Sequence, residues 1–356
     1  MSCYSLMTFI RKSRVGLLST AALASLLVAC GGGGDGGAAP PLRNEAASPV
    51  TPAPASAAAP SDVLNAYPAG SEELAVYTLL NAERNRCGFG LLEANAQLDA
   101  AARGHTDYQL INSRNSHLQD ARVADGFTGT DPEARVRAQG YANAGGVTDE
   151  YAFFTSNQPF PSKTGLGGLG MRALLNAPYH LNGLMSGYRD VGIAVRSNAD
   201  TGRGARGVFV QLNAAYKANV GPQLLGSTDV KTYPCDGATG INRQLSNESP
   251  NPVPGRDLGQ SPLGSTVYIA VREGNRLTIN SAFMKNVATG QNVILRVPVT
   301  SSNDPYGPCA SGCFKAHQGY IVADAPLQAN TVYSVSISGA NNGAPFTQTF
   351  TFTTGS

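Results

Sequence analysis

Residues 174–195 read LLNAPYHLNGLMSGYRDVGIAV, and the change of pattern inside them decides the fold. Helical spacing over about 170–176 leads into Ala177-Pro178-Tyr179-His180, and residues 190–195 (DVGIAV) then read as a strand. A second strand at 207–212 (GVFVQL) follows across a Gly/Arg-rich hairpin. Working back toward the amino terminus, the pattern is helical. Ser71 with Glu72 and Glu73 forms an N-cap with first-turn acids, and Leu74, Tyr77 and Leu80 continue the face until Gly88. A second helix begins near Asn95 and carries Leu98, Ala101, Ala102, His105 and Tyr108 on one side. Asp131-Pro132 starts a third, short helix that Gly140 ends. Helices first and strands last predict an α/β sandwich of layers.

The chain has 356 residues, more than one ordinary core needs. Charged residues are 14% of it, which excludes a coiled coil or a charge-driven disordered chain. Its 26 basic and 24 acidic residues give +2, and loss of Arg11, Lys12 and Arg14 with a leader leaves 23 against 24, a net charge of −1. Such a balance does not attract polyanions, so nucleic acid is not expected as a partner.

Arg11, Lys12 and Arg14 form a basic region ahead of an uncharged stretch at 15–29 (VGLLSTAALASLLVA), a signal-peptide core too short to span a bilayer comfortably. Leu27-Val28-Ala29-Cys30 resembles a bacterial lipobox, in which cleavage precedes the cysteine and its thiol receives a lipid. The competing reading is a plain secretory signal with an incidental cysteine. Gly31 and Gly32 follow, without the aspartate that the pattern associates with inner-membrane retention, so the resemblance implies an outer-membrane anchor. Several acyl chains on Cys30 would hold the chain stably where one is marginal. The next thirty residues, 31–60, hold six Gly, nine Ala and six Pro without hydrophobic periodicity, which reads as a tether.

Removal of Cys3 with the leader and lipidation of Cys30 leave Cys87, Cys235, Cys309 and Cys313. An even number in an oxidising compartment implies two disulfides with three possible pairings. Cys309–Cys313, within one Gly/Pro/Ser-rich loop, is preferred, which leaves Cys87 with Cys235. A structural zinc would need a tighter cluster of Cys and His.

The order LLNAERNRCGFGLL, an Ala-rich helix with His105, Asn115-Ser116-His117, DPEARVRAQGY, Thr148-Asp149-Glu150 and LLNAPYHLNGLMSGYRDVGIAV resembles the CAP superfamily. These are the SCP-like extracellular domains named for cysteine-rich secretory proteins, antigen 5 and pathogenesis-related 1. The likeness covers residues 71–215 and implies an α-β-α sandwich whose cleft gathers two histidines and two acids. It matches His117 to the first histidine, Glu150 to the first acid and His180 to the second histidine. The chain departs from the family at Asp149-Glu150-Tyr151, which replaces Gly-Glu-Asn, and at Ala177-Pro178-Tyr179-His180, which replaces Ser-Pro-Gly-His. Ala134 stands where relatives place the second acid, with Glu133 or Asp131 as substitutes.

Two imidazoles and a carboxylate can hold a divalent metal such as zinc, with water in the open place, or move protons without one. They can also simply hydrogen-bond one another and pin the surrounding loops. His105, on a buried helix face, reads as a core histidine, and His317 as a surface residue. Ser116 beside His117 has no nucleophile-elbow context. The run GLGGLG at 165–170 lacks the strand and lysine of a phosphate loop and reads as a loop or helix lead-in.

Composition marks a linker at 247–255 (NESPNPVPG), and period-two alternation follows at Val267/Ile269/Val271, Val293/Leu295/Val297/Val299, Tyr333/Val335/Ile337 and Phe346/Phe350/Phe352. Short strands with no helical segment predict an all-β sandwich. The ending APLQANTVYSVSISG…FTQTFTFTTG resembles bacterial Ig-like modules. The expected organisation is a leader (1–29), a lipidated tether (30–67), a CAP-type domain (68–240), a linker (241–254) and an Ig-like β-sandwich (255–356).

Two functional classes follow. One is a non-catalytic, surface-displayed lipoprotein whose His/Glu cleft binds a lipid, glycan or protein. The other is a metal-assisted envelope hydrolase using His117, Glu150 and His180. Export itself is testable: mass spectrometry of the membrane fraction should find a mature chain beginning at acylated Cys30, and Cys30→Ser should leave it soluble or uncleaved.

Overall fold

Helix starts follow their capping chemistry. In the computed structural model, which describes residues 9–10, 66–142, 144–155, 162–307 and 313–356, α1 spans Glu72–Cys87, with the Ser71 side chain accepting from the Leu74 N–H and Gly88 closing it at φ 76°. Helix α2, Ala96–Ile111, is capped by Asn95, and α3, Pro132–Ala138, by Asp131. Beyond them the reading and the structure part. Helix α4 is Leu166–Leu174, so the GLGGLG run lies mostly within a helix. A separate helix α5, Pro178–Met185, carries His180. The turn between strands β4 (Asp190–Ser197) and β5 (Gly207–Lys217) holds a four-residue helix, α6, Asn198–Thr201.

Strand β3, Ala144–Thr155, is the element the sequence pattern concealed, because AGGVTDEYAFFT opens on two glycines and places two acids at its centre. It pairs antiparallel with β5, which pairs antiparallel with β4. Two-residue strands flank this sheet. Strand β2, Glu93–Ala94, runs parallel to β4, and β1, Phe9–Ile10, runs parallel to the end of β3. Strand β1 belongs to the predicted leader, so the mature chain expected from the sequence lacks it.

Alternation along the strands separates two helix layers. Val191, Ile193, Val195, Val208, Val210 and Leu212 pack with Val76, Leu80, Met171 and Leu184 of α1, α4 and α5. Residues of opposite parity, among them Tyr151, Phe153, Phe209 and Ala215, meet Leu98, Leu110 and Val136 of α2 and α3. The result is a mixed α/β arrangement with the sheet between helices.

The expected boundary at residue 240 cuts through paired strands. β6 (Val230–Tyr233) pairs with β8 (Thr266–Val271), and β7 (Ala238–Ile241) pairs with the late strand β13 (Ala344–Thr354). Two four-stranded sheets follow. One runs β10 (Val299–Thr300), β11 (Gln318–Val322), β8, β6, and the other runs β7, β13, β12 (Val332–Asn341), β9 (Leu277–Asn286). Of the predicted strands, residues 293–297 form no named strand and join their neighbours through the isolated bridge Leu295–Ala323 and a few backbone hydrogen bonds. The expected linker is not free either, since Leu245 pairs with Leu263 and Glu248 is buried. The described residues fall in one compact unit, and one apolar cluster runs from Val76 to Phe352.

Cys87 and Cys235 form a disulfide that ties the end of α1 to the turn between β6 and β7. Cys313 is buried and disulfide-bonded, while Cys309, its expected partner, lies outside the described residues. So do Cys30 and most of the predicted leader and tether. No helix among the described residues is long and apolar enough to cross a membrane.

Gly192 lies where β4 touches α2, and a Cβ there would collide with the backbone of Leu98 and Asp99. Gly192→Ala should destabilise the fold by about 1–3 kcal/mol or more. Gly168→Ala, on α4 with nothing within 4 Å, should stabilise it by about 0.5–1 kcal/mol. Denaturant titration of both variants checks the contrast.

Candidate functional site

Asp149 and Glu150 are neighbours on β3 and therefore face opposite sides of the sheet. Asp149 points to the α2/α3 layer and is the acid that meets His117, its Oδ1 pairing with His117 Nδ1. Asp149 Oδ2 accepts from Arg135 Nη2 at 2.6 Å and from Gln211 Nε2 at 3.0 Å. Arg135, fully buried on α3, also donates to the His117 carbonyl. Burial alone would raise the Asp149 carboxyl, but the charges of His117 and Arg135 hold it well below the usual carboxylate range. His105 joins the same cluster as a satisfied core histidine. Its Nε2 donates to Ser116 O at 3.0 Å, and its Nδ1 accepts from Gln119 Nε2 at 3.1 Å. Burial first, then Arg135, lowers its pKa to about 3.

Glu150 points to the other layer. Its Oε1 accepts from Thr148 Oγ1 at 2.7 Å, and any side chain at Gly183 of α5 would collide with it. Burial pushes this carboxyl up to about 8, against the opposing influence of His180 and Thr148.

His180 sits in the first turn of α5, a helix whose N-cap residue, Ala177, has no side-chain cap. The missing acceptor comes from the expected linker. Glu248 Oε1 takes the Tyr179 N–H at 2.7 Å and lies 3.4 Å from His180 Nδ1. Burial raises the Glu248 pKa, opposed by its bonds to His180 and the helix start. The His117 and His180 rings lie 6.5 Å apart, centroid to centroid.

The proposed substitutes for a second acid are engaged elsewhere. Asp131 caps α3 by accepting from the Ala134 N–H, and Glu133 is exposed and paired with Arg137. The acids at the histidines are thus Asp149, Glu150 and Glu248. Asp149 and Glu150 stood side by side in the sequence, and only strand parity separates their partners. Glu248 had one cue, a helix opening on Ala-Pro with nothing local to cap it.

A metal would need several donors converging on one point. Among the described residues no three or more His, Cys, Asp or Glu do so. The carboxylates of Asp149 and Glu248 engage the Nδ1 atoms of His117 and His180, as carboxylates do around metal-bound imidazoles, and His180 Nε2 is buried without a hydrogen-bond partner, so what the described residues lack for a metal site is a third converging donor.

Beside Glu150 opens a cavity of 310 Å³ between the first layers and the C-terminal sheets. Thr148, Glu150, Asn182, Tyr188 and Tyr216 line it on one side, and Tyr268, Glu273, Lys315 and His317 on the other. His317 is therefore a half-buried pocket residue and not a surface one, with its pKa lowered by burial. No protein-family model matches this sequence, and no curated protein matches it.

Glu150 sets a pH dependence. Its folded pKa exceeds the unfolded value of about 4.5, so between pH 4.5 and 8 the folded state binds more protons and stability falls as pH rises. Glu248 acts in the same sense. Glu150→Gln should reduce this decline by a few kcal/mol, measured by urea unfolding at pH 5 and pH 8.

Proposed function

We propose that this chain is an exported, lipid-anchored binding protein in which residues 71–215 form a CAP-type domain and the C-terminal strands are an Ig-like module. The lipobox pattern at Leu27–Cys30 supports export and anchoring at the outer membrane. The ordered motifs of residues 71–215, together with a sheet between helix layers, support the CAP reading.

One observation carries the choice of binding over catalysis. His117 and His180 are 5% and 1% exposed, each is engaged by a carboxylate, and the accessible cavity is lined instead by Glu150 and tyrosines. A general base or metal ligand must come within hydrogen-bond reach of the group it acts on. These two imidazoles are covered. Buried beside Asp149 and Glu248, they act as structural partners that fix β3 and α5 around the cavity.

The full chain should show no peptidase or esterase turnover that depends on either histidine. The double variant His117→Ala, His180→Ala should lose about 3–5 kcal/mol of stability, because it removes one partner from each of two buried carboxylates. Its metal content should match that of the parent. Stoichiometric metal lost on double substitution, or hydrolysis abolished by it, would establish the hydrolase in place of this reading.

A further inference from the structure

The cavity's lining restricts what it can hold. Its two outer charged groups, Glu273 and Lys315, are of opposite sign and both exposed, so the mouth favours neither anion nor cation. Deeper, Asn182 is 7% exposed and its Oδ1 has no hydrogen-bond partner among the described residues. Glu150, 8% exposed, lines the same cavity. A buried acceptor of this kind costs free energy until a donor reaches it. Burial also keeps Glu150 largely protonated at neutral pH, so it offers a donor and an acceptor without a charge.

The walls add flat apolar faces. Tyr188 and Tyr216 are half-buried, with ring centroids 6.1 Å apart and planes tilted by 34°. The Tyr216 ring rests on Gly145-Gly146, where added Cβ atoms would come within 2.5 and 2.8 Å of it. That contact holds the ring in place before any ligand arrives, which lowers the ordering cost of binding. At 310 Å³ the cavity lies at the small end of the range for small-molecule sites, about 300–1,000 Å³.

We infer that this pocket binds a neutral, hydroxyl-rich ligand, a saccharide of one or two rings, set against Tyr188 and Tyr216 with its hydroxyls on Asn182 and Glu150. A sugar ring matches both demands, with an apolar face for the tyrosines and uncharged hydroxyls that donate and accept. The inference rests on the binding reading above and deepens it.

Calorimetric titration of the full chain with maltose, cellobiose and diacetylchitobiose tests it, with choline and glucuronate as charged probes. At least one neutral disaccharide should bind. Tyr216→Ala should weaken it tenfold or more, and Phe283→Ala, on the exposed part of β9, should leave it unchanged. Should Tyr216→Ala unfold the chain, Asn182→Ala, which removes the unpartnered acceptor, is read instead, with a three- to tenfold loss expected. Binding of choline or glucuronate alone, with the same dependence on Tyr216, overturns the inference of a neutral saccharide and leaves the binding reading standing. Failure of all five probes overturns the saccharide inference. Cleavage of a bound disaccharide, seen by chromatography, overturns the binding-module reading instead.

Discussion

Helix α5 begins without a cap of its own, and the carboxylate of Glu248 supplies one from 69 residues away. A helix start presents N–H groups with no intrahelical partner, and Ala177 offers no side-chain acceptor while Pro178 has no N–H to give. Burying such a start would be unfavourable without an incoming anion, and buried carboxylates are in turn rare without donors. Each group therefore requires the other. Around this contact, Thr266 bonds Asn176 through both its N–H and its hydroxyl, and Asp304 accepts from the Tyr179 hydroxyl and the Phe314 N–H. The C-terminal sheets are thereby fastened to the loop and helix that carry His180, and the cavity beside Glu150 exists because they are.

A second buried charge system stands on the far side of the sheet. Arg135, Asp149, His117 and Gln211 form a set in which one carboxylate accepts from a guanidinium, an amide and an imidazole. Such a set is costly to break at any one member, because the remainder is left charged in a poor solvent. Parity along β3 keeps it separate from Glu150, beside which the described residues place no arginine. Two adjacent carboxyls consequently hold opposite protonation states at neutral pH, one ionised and one mostly protonated.

Local chemistry made much of this legible. Ser71, Asn95 and Asp131 announced three helices, and β4 and β5 followed from their alternation. His117 and His180, far apart in sequence, lie near each other. What escaped were features decided by partners distant along the chain. β3 is strand because it is held between neighbours, although its own pattern is interrupted by glycines and acids. Glu248 looked like linker because its role is set by a helix it does not precede. Residues 230–241 were assigned to the wrong neighbours for the same reason, since pairing with β8 and β13 leaves no mark on their own composition. The choice between Asp149 and Glu150 depended on which way the strand was turned, and a one-residue change of register would have exchanged them.

The Cys87–Cys235 bridge also decides how the chain would carry a mechanical load. A pull applied at the two ends travels along covalent bonds, entering through α1, crossing from Cys87 to Cys235, and leaving through the C-terminal strands. Residues 88–234, which hold the central sheet, both histidines and Glu150, hang from that crossing as a closed loop and take no backbone tension while it is intact. For a protein fastened to a surface by one end, the backbone of β3 and α5 would be shielded from that pull while the bridge is intact.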